Sequence, residues 1–433
     1  MSPAHCLERG GAEAVPACGA GDLLPVARMR ALLLRRAADW AGRLAAAETV
    51  PLERARGRIL AEPVAAPRDL PPWDVAAMDG YAVSWEELRR GGGRLAVRGR
   101  AAAGDAPGRL ASGTAMRVFT GAPLPEGADT VLPQESCRIE GAGANGWLAA
   151  PVPEAPGGHV RHRGEELAAG TVALRPGQRL DPPRLGLLAA LGRREVCVRR
   201  RLRVALLVTG EELLPGRPGG IGDANGPMLE ALLEGMGLAV RRAPPVGDGL
   251  RETWAALREA AREAEVLLTT GGVSVGETDH VRRAVERLGR VEAWGVAMKP
   301  GKPFAFGEAA GRPWLGLPGN PSGALVAWLV LAAPFLERLQ GLTEPPPPAP
   351  RLPAAFGRPP ARRREFLRVR LAPGPDGTAL EPAGPQGSGR LDTAAAAHGL
   401  AEVAEGREVR PGDLLPFLPF LWTQAAVAGE GRW

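Results

Sequence analysis

The sequence predicts a multidomain α/β-plus-β protein: a central, doubly wound, mostly parallel α/β domain with β-rich N-terminal domains and a small C-terminal β module. Three observations predict it. Residues 202–342 alternate strand-like and helix-like segments, which requires crossover connections and a mostly parallel sheet covered on both faces. Residues from about 58 to 200 carry short β-type runs split by Gly and Pro clusters, such as YAV, RLAVRG, MRVFT and TVALRPG. The proline run TEPPPPAP at 343–350 then sets off a last segment, including REFLRVRLAP, that again reads as β.

Taken in order, residues 26–48 show a helical apolar period that ends before Pro51. In the alternating stretch, LRVALLVT, LAVRRAPPV, EVLLTT and VEAWGVAM read as strands. NGPMLEALLEGMG, RETWAALREAAREA and HVRRAVERLG read as helices between them, FAFGEAAGRPWLGL as a hairpin, and SGALVAWLVLAAPFLERLQ as a last helix. The expected divisions are an unstructured extension at 1–25, a discontinuous domain at 26–70 with 156–200, and a β-rich insert at 71–155. The α/β domain follows at 201–342, a β domain at 351–420 and a tail at 421–433.

Composition narrows the function. At 433 residues the chain is long enough for two to four domains, and its apolar and charged fractions are those of a globular protein. The formal charge of +6 comes from arginines spread along the chain, not from a basic block, so no nucleic-acid partner is expected. The start lacks an apolar export signal, and the apolar run GALVAWLVLAAPFL at 323–336 is expected to be too short for a bilayer span and to be a buried helix. Cys6, Cys18, Cys137 and Cys197 form no paired motif, so neither a zinc site nor a disulfide framework is expected. A cytoplasmic protein without membrane attachment is the resulting expectation.

In an open parallel sheet, ligands bind beyond the carboxyl ends of the strands, and the unusual sequences of residues 202–342 fall there. They are TGEEL at 209–213, GGVSVG at 271–276, KPGKP at 299–303 and LPGNPSG at 317–323. Gly271 and Gly272 allow sharp turns that aim backbone N–H groups at an anion. Asn320 suits an N-cap and Pro321 a first helical position after Pro318, so that helix start offers free N–H groups to a negative ligand. Lys299 and Lys302, on a loop stiffened by prolines, can share one oxyanion. Asp223 and Asp279 are carboxylates at strand ends, suited to Mg²⁺. Alone, each loop has an ordinary reading as turn, solvated lysine pair or helix cap. GGIGDANG nearly matches a dinucleotide fingerprint, but Asn225 stands at its third glycine and it is discounted. Four anion-friendly loops at neighbouring strand ends point jointly to a site.

GGVSVGETDHV, MKPGKPFAFG and LPGNPSGALV, in this order, resemble the molybdopterin molybdenumtransferases of the MoeA type, which include the E domains of gephyrin and of plant homologues. PPWDVAAMDGYAV at 71–83, VFTGAPLPEGADTVLPQE at 118–135, VRHRGEELAAG at 160–170, RRREFLRVRL and GPQGSGRL extend the resemblance over roughly residues 26–418. It implies a molybdopterin-binding α/β domain and a four-domain subunit in a homodimer. It implies insertion of molybdate into adenylylated molybdopterin with release of AMP, dependent on Mg²⁺. It places Ser274, Lys299, Lys302, Arg363 and Ser388 around molybdate. It gives catalytic weight to Asp79, Glu165, Asp223 and Asp279, with Asp223 and Asp279 nearest the metal and adenylate, Asp79 and Glu165 on the β-rich side of the cleft, and Thr120 close to those two as a hydrogen-bonding residue. Asp79-Gly80 is also a hairpin-turn signal, and Glu165 also reads as a surface acid. The sequence departs from the family pattern at Glu211, Val75, Ala76 and Gly222. Tungstate insertion, a molybdopterin adenylyltransferase and a scaffold role are the rival readings. Such an adenylyltransferase and molybdoenzyme maturation proteins are the partners implied beyond the homodimer.

Overall fold

The computed structural model describes residues 23–44, 46–141, 146–273, 280–375 and 377–420. The chain forms two compact units, one of Thr49–Arg56 and Leu60–Cys197, the other of Met1–Glu48, Gly57–Ile59 and Val198–Trp433.

The smaller unit is β-rich, as its short punctuated runs predict. Its main sheet comprises β1 (Gly80–Val83), β2 (Arg94–Ala101), β3 (Thr114–Val118), β4 (Thr130–Pro133), β5 (Arg138–Glu140) and β6 (Trp147–Ala149), in the order β4-β1-β3-β2-β6-β5. Only β2 and β3 run parallel; the other pairs are antiparallel. Alternation along β1 sends Ala82 and Val83 into different apolar clusters on the two faces of the sheet.

The larger unit holds the α/β sheet. Its strands are β7 (Arg203–Val208), β8 (Ala239–Arg242), β9 (Val266–Thr270) and β10 (Gly289–Trp294), followed, after a two-residue strand β11 (Met298–Lys299) that leaves this sheet, by β12 (Ala305–Ala309) and β13 (Arg312–Leu317). The order is β8-β7-β9-β13-β12-β10. The first four are parallel; β12 runs antiparallel to both its neighbours, so the sheet is mixed. The reversal comes from the hairpin whose loop, Ala310-Gly311, has positive φ at both residues (48° and 72°), the turn whose twist matches the strands. Along β7, Val204 and Leu206 enter one core while Ala205 and Leu207 enter another. Both faces are therefore covered, which is why the strand reads as an unbroken apolar run.

Helix α1 (Val26–Leu44), α2 (Asn225–Gly235) and α5 (Pro321–Leu339) contribute to the first core. Helices α3 (Leu250–Glu263) and α4 (His280–Leu288) contribute to the second. Sequence reasoning groups α1 with the β-rich half, but its apolar face (Val26, Met29, Leu33) packs into the α/β core instead. At 19 residues, α5 is long and apolar enough to cross a bilayer, contrary to the expectation from its sequence; yet 72% of its apolar window is buried, as a core helix requires. Pro334 cannot donate to the carbonyl of Val330, and the helix widens to π geometry over Trp328–Ala332. Arg30 of α1 donates its Nε to that freed Val330 oxygen at 3.0 Å.

The C-terminal module contains β14 (Arg351–Pro353), β15 (Arg364–Gly374), β16 (Gly377–Pro382), β17 (Gly399–Val403) and β18 (Leu414–Pro419). VEAWGVAM does not form the single strand its pattern suggests. Gly295, at φ 78°, breaks it, and β11 pairs in parallel with β15, with Lys299 opposite Glu365. One lysine of KPGKP is thus hydrogen-bonded into the C-terminal sheet.

Candidate anion site at the strand ends

A cavity of ≈ 770 Å³ opens where β7, β9 and β13 end, roofed by the loops of the C-terminal module. Its floor is tied together by one buried side chain. Asn225, 6% exposed, donates through Nδ2 to the Thr270 hydroxyl (2.9 Å) and to the Gly319 carbonyl (2.7 Å), and Thr270 passes its own proton to Pro318 O at 2.8 Å. The loops after β9 and β13 are thereby fixed to the start of α2. Gly271 is required there: at φ 89°, a Cβ would lie 2.2 Å from Thr209 O. Gly272 is equally confined, since a Cβ would meet Val281 at 2.5 Å.

The walls carry the charge. Lys299, Lys302 and Arg363 line the cavity together with Ser388. Of the 54 Lys and Arg residues in the sequence, only these two are lysine. Lys299 Nζ lies 3.1 Å from Glu365, a carboxylate only 2% exposed that also takes a two-point contact from Arg358, at 2.8 and 2.9 Å. The Arg358 guanidinium above all, with a smaller pull from Lys299, holds the Glu365 carboxyl below its ordinary range. Arg363 donates to Met298 O at 3.3 Å. The loop bearing Ser388 is shaped from below by fully buried Arg368, whose Nη2 donates to the carbonyls of Pro385 and Gly387.

Asn320 stands at the N-cap of α5 with Pro321 next, as predicted, but its side chain makes no capping bond; Nδ2 points instead to Ser388 Oγ at 3.3 Å. The Ser322 N–H, expected to be free for an anion, already donates to Ser388 O (3.1 Å), and the Ser322 hydroxyl donates to Arg390 O (2.7 Å). The helix start therefore docks the C-terminal module as well as facing the cavity. Asp223 lines the cavity, accepts the Gly226 N–H at 2.7 Å and faces Arg242 at 3.4 Å. Glu212 and Asp248 add two further carboxylates to the lining. Among the described residues no three His, Cys, Asp or Glu side chains gather as a metal cage.

The structure thus brings Asp223, Gly271, Gly272, Lys299, Lys302, Pro318, Asn320, Pro321, Arg363 and Ser388 to one cavity. Ser274 and Asp279 lie outside the described residues. The other candidates belong to the β-rich unit. There Asp79 Oδ1 accepts both the backbone N–H and the hydroxyl of Thr120, each at 2.8 Å. The N–H is the larger cause, the hydroxyl the next, of a carboxyl held below its ordinary range, with a weaker pull from Arg117. Glu165 sits in a separate turn, accepting the His162 N–H at 2.8 Å. Asn225 and Glu365 are the residues that sequence reasoning missed. Asn225 was visible only as a flaw in a glycine fingerprint, and Glu365 as one acid in an arginine-rich strand.

A molybdopterin-binding type of α/β domain, joined to a β module that helps to wall a cavity carrying two lysines and an arginine, is the class that this fold and site define. Family models match in the same order: the MoeA N-terminal region (domains I and II) over residues 24–192, a probable molybdopterin binding domain over 205–338, and the MoeA C-terminal region (domain IV) over 351–420. The chain belongs to the molybdopterin molybdenumtransferase (MoeA) family, enzymes of molybdenum-cofactor biosynthesis. It is 39% identical over 299 residues to a molybdopterin molybdenumtransferase of Haemophilus influenzae, covering 68% of this chain and 73% of that one. With molybdopterin molybdenumtransferase 2 of Mycobacterium tuberculosis it shares 37% identity over 390 residues, 84% of this chain and 95% of the relative. The crystal structure of the moeA molybdopterin biosynthesis protein from Pyrococcus horikoshii superposes with a TM-score of 0.76 at 25% identity, covering 92% of this chain and all of that one.

Proposed function

We propose that this chain inserts molybdate into adenylylated molybdopterin with release of AMP, and that the strand-end cavity holds the oxyanion. The observation that carries the reading is the placing of the chain's only two lysines, with Arg363 and Ser388, on the wall of one cavity. Molybdate is a tetrahedral dianion. Two ammonium groups and a guanidinium can supply charge-assisted hydrogen bonds to it, while the Ser388 hydroxyl donates without adding charge. The backbone turn at Gly271-Gly272 and the Asn225-braced loops give a rigid floor on which a phosphorylated substrate can be positioned.

Mg²⁺ fits the donor chemistry of the lining, which offers carboxylate oxygens and no sulfur or imidazole. Asp223 would hold it, with Glu212 and Asp248 as further carboxylates of the same lining. A bound Mg²⁺ would neutralise charge on the pyrophosphate link as it is cleaved. The chain's own residues bind, orient and neutralise, and none serves as a covalent nucleophile. Asp79, with Thr120, is read as a second functional carboxylate. A cytoplasmic homodimer that receives its substrate from an adenylyltransferase completes the proposal.

The test is a defined assay with purified protein, adenylylated molybdopterin, Mg²⁺ and either molybdate or tungstate, following AMP release and reconstitution of a cofactor-free apoenzyme. Molybdate-dependent AMP release that disappears in Lys302→Ala is expected. Substrate binding without AMP release under either oxyanion would end the transferase reading. Preference for tungstate would redirect it.

A further inference from the structure

We propose that Glu365 is a positioning residue that fixes the Lys299 ammonium on the cavity wall, making the C-terminal module part of the anion site. The inference rests on reading the cavity as an oxyanion site. A carboxylate beside such a site would ordinarily work against it by cancelling a cation. Here Arg358 meets both oxygens of Glu365, at 2.8 and 2.9 Å, and Lys299 stands 3.1 Å from one of them. Two cations on one carboxylate leave a net positive charge, and Lys299 is the member of the triad that lines the cavity. Its side chain is 47% exposed whereas that of Glu365 is 2% exposed, so the anchor is buried and the anchored group reaches the ligand. The backbone sets the same arrangement: the parallel β11–β15 pairing puts Lys299 opposite Glu365.

The choice of lysine sharpens the argument. Every other cationic side chain of this sequence apart from histidine is arginine, yet both cations of KPGKP are lysine. A guanidinium at position 299 would meet Glu365 in a planar, two-point pair and hold its donors on the acid. An ammonium, with three donors on one small centre, can give one to Glu365 and keep two for an oxyanion.

The experiment is molybdate binding to the full chain by titration calorimetry, in a double-mutant cycle. Glu365→Gln should weaken binding about tenfold, the low end for loss of an outer partner of a ligand-bearing side chain. The effect should vanish in a Lys299→Met background and persist in Lys302→Met. An equal loss in both backgrounds, or no loss in Glu365→Gln, overturns the proposal. Because Glu365→Gln leaves the half-buried Arg358 without its acid, Glu365→Gln with Arg358→Gln is the companion variant, and it should show the same loss. Reductive ¹³C-methylation labels only Lys299, Lys302 and the chain's amino terminus, giving a readout without molybdate. Glu365→Gln should move the Lys299 resonance and leave Lys302 in place. If the wild type binds no oxyanion while that resonance still moves, the oxyanion reading falls and the positioning contact stands. An unmoved resonance overturns the contact itself.

Discussion

The strand-end cavity and the Asp79–Thr120 corner are built in opposite ways. In the cavity, charged groups are held by partners that are themselves buried: Glu365 behind Lys299, Arg368 behind the Ser388 loop and Asn225 beneath two strand ends. At the corner, two residues that flank paired strands suffice. Asp79 precedes β1 and Thr120 follows β3, and the antiparallel match of Gly80 with Val118 brings them together. The cavity is a site made from distant segments, whereas the corner is a by-product of one strand pairing. The first should therefore be sensitive to changes far from any ligand, and the second only to its own two side chains.

The largest effect that would break this contrast concerns the cavity charge. Lys302→Ala should lower molybdate-dependent AMP release about 10³-fold, the upper range for removing a fixed donor from a developing anion. A residual rate within tenfold of wild type, in the same assay, would remove Lys302 from the site. Next, Asp79→Asn should lower kcat about 10²-fold while molybdate affinity stays unchanged, since Thr120, which donates to Asp79, belongs to the β-rich unit and not to the cavity lining. Calorimetry showing weakened molybdate binding in that variant would make Asp79 a part of the oxyanion site.

A smaller effect tests the buried brace. Asn225→Ala removes donors to Thr270 and Gly319 and should destabilise the α/β unit by about 1–3 kcal/mol, read from urea unfolding followed by tryptophan fluorescence. An unchanged midpoint would mean that the loops hold their places without it. The smallest effect concerns the corner. The Thr120 donors hold the Asp79 carboxyl below its ordinary range, so the pairing stabilises the fold at pH values above that range and fades as pH falls through the lowered value. Thr120→Val keeps the N–H, which is the larger cause, and should raise the Asp79 titration only partway in ¹³C-detected NMR. A full return to the ordinary carboxylate value would show that the hydroxyl dominates.

The same contrast explains what was legible in the sequence. Local signals were readable wherever structure is set within a few residues: the alternating strands and helices, the Ala310-Gly311 hairpin, and Pro321 at the start of α5. Glycines and lysines at strand ends marked the cavity because an anion site needs turns and charge there. What could not be read depends on pairing through space. Gly295 diverts VEAWGVAM into two sheets, and only that diversion sets Lys299 against Glu365. The Ser322 N–H looked available because the Ser388 carbonyl that takes it is remote in sequence. Helix α1 reads as an amphipathic helix, but nothing in its period says which core receives it.

That helix also imposes an order in time. Arg30 fills the gap that Pro334 leaves at Val330, so the two sides of one hydrogen bond are 300 residues apart in the chain. At the usual pace of translation, about 5–20 residues per second, the first side waits roughly 15 to 60 s for the second to be made. Throughout that wait the apolar stripe of Met29, Leu32 and Leu33 lacks its main packing partner, since α5 is the last helix of the domain. The nascent protein therefore carries an adhesive segment until the ribosome is well past residue 334, and a holdase should matter more for its yield than the stability of the finished fold, with slower synthesis lengthening the exposure.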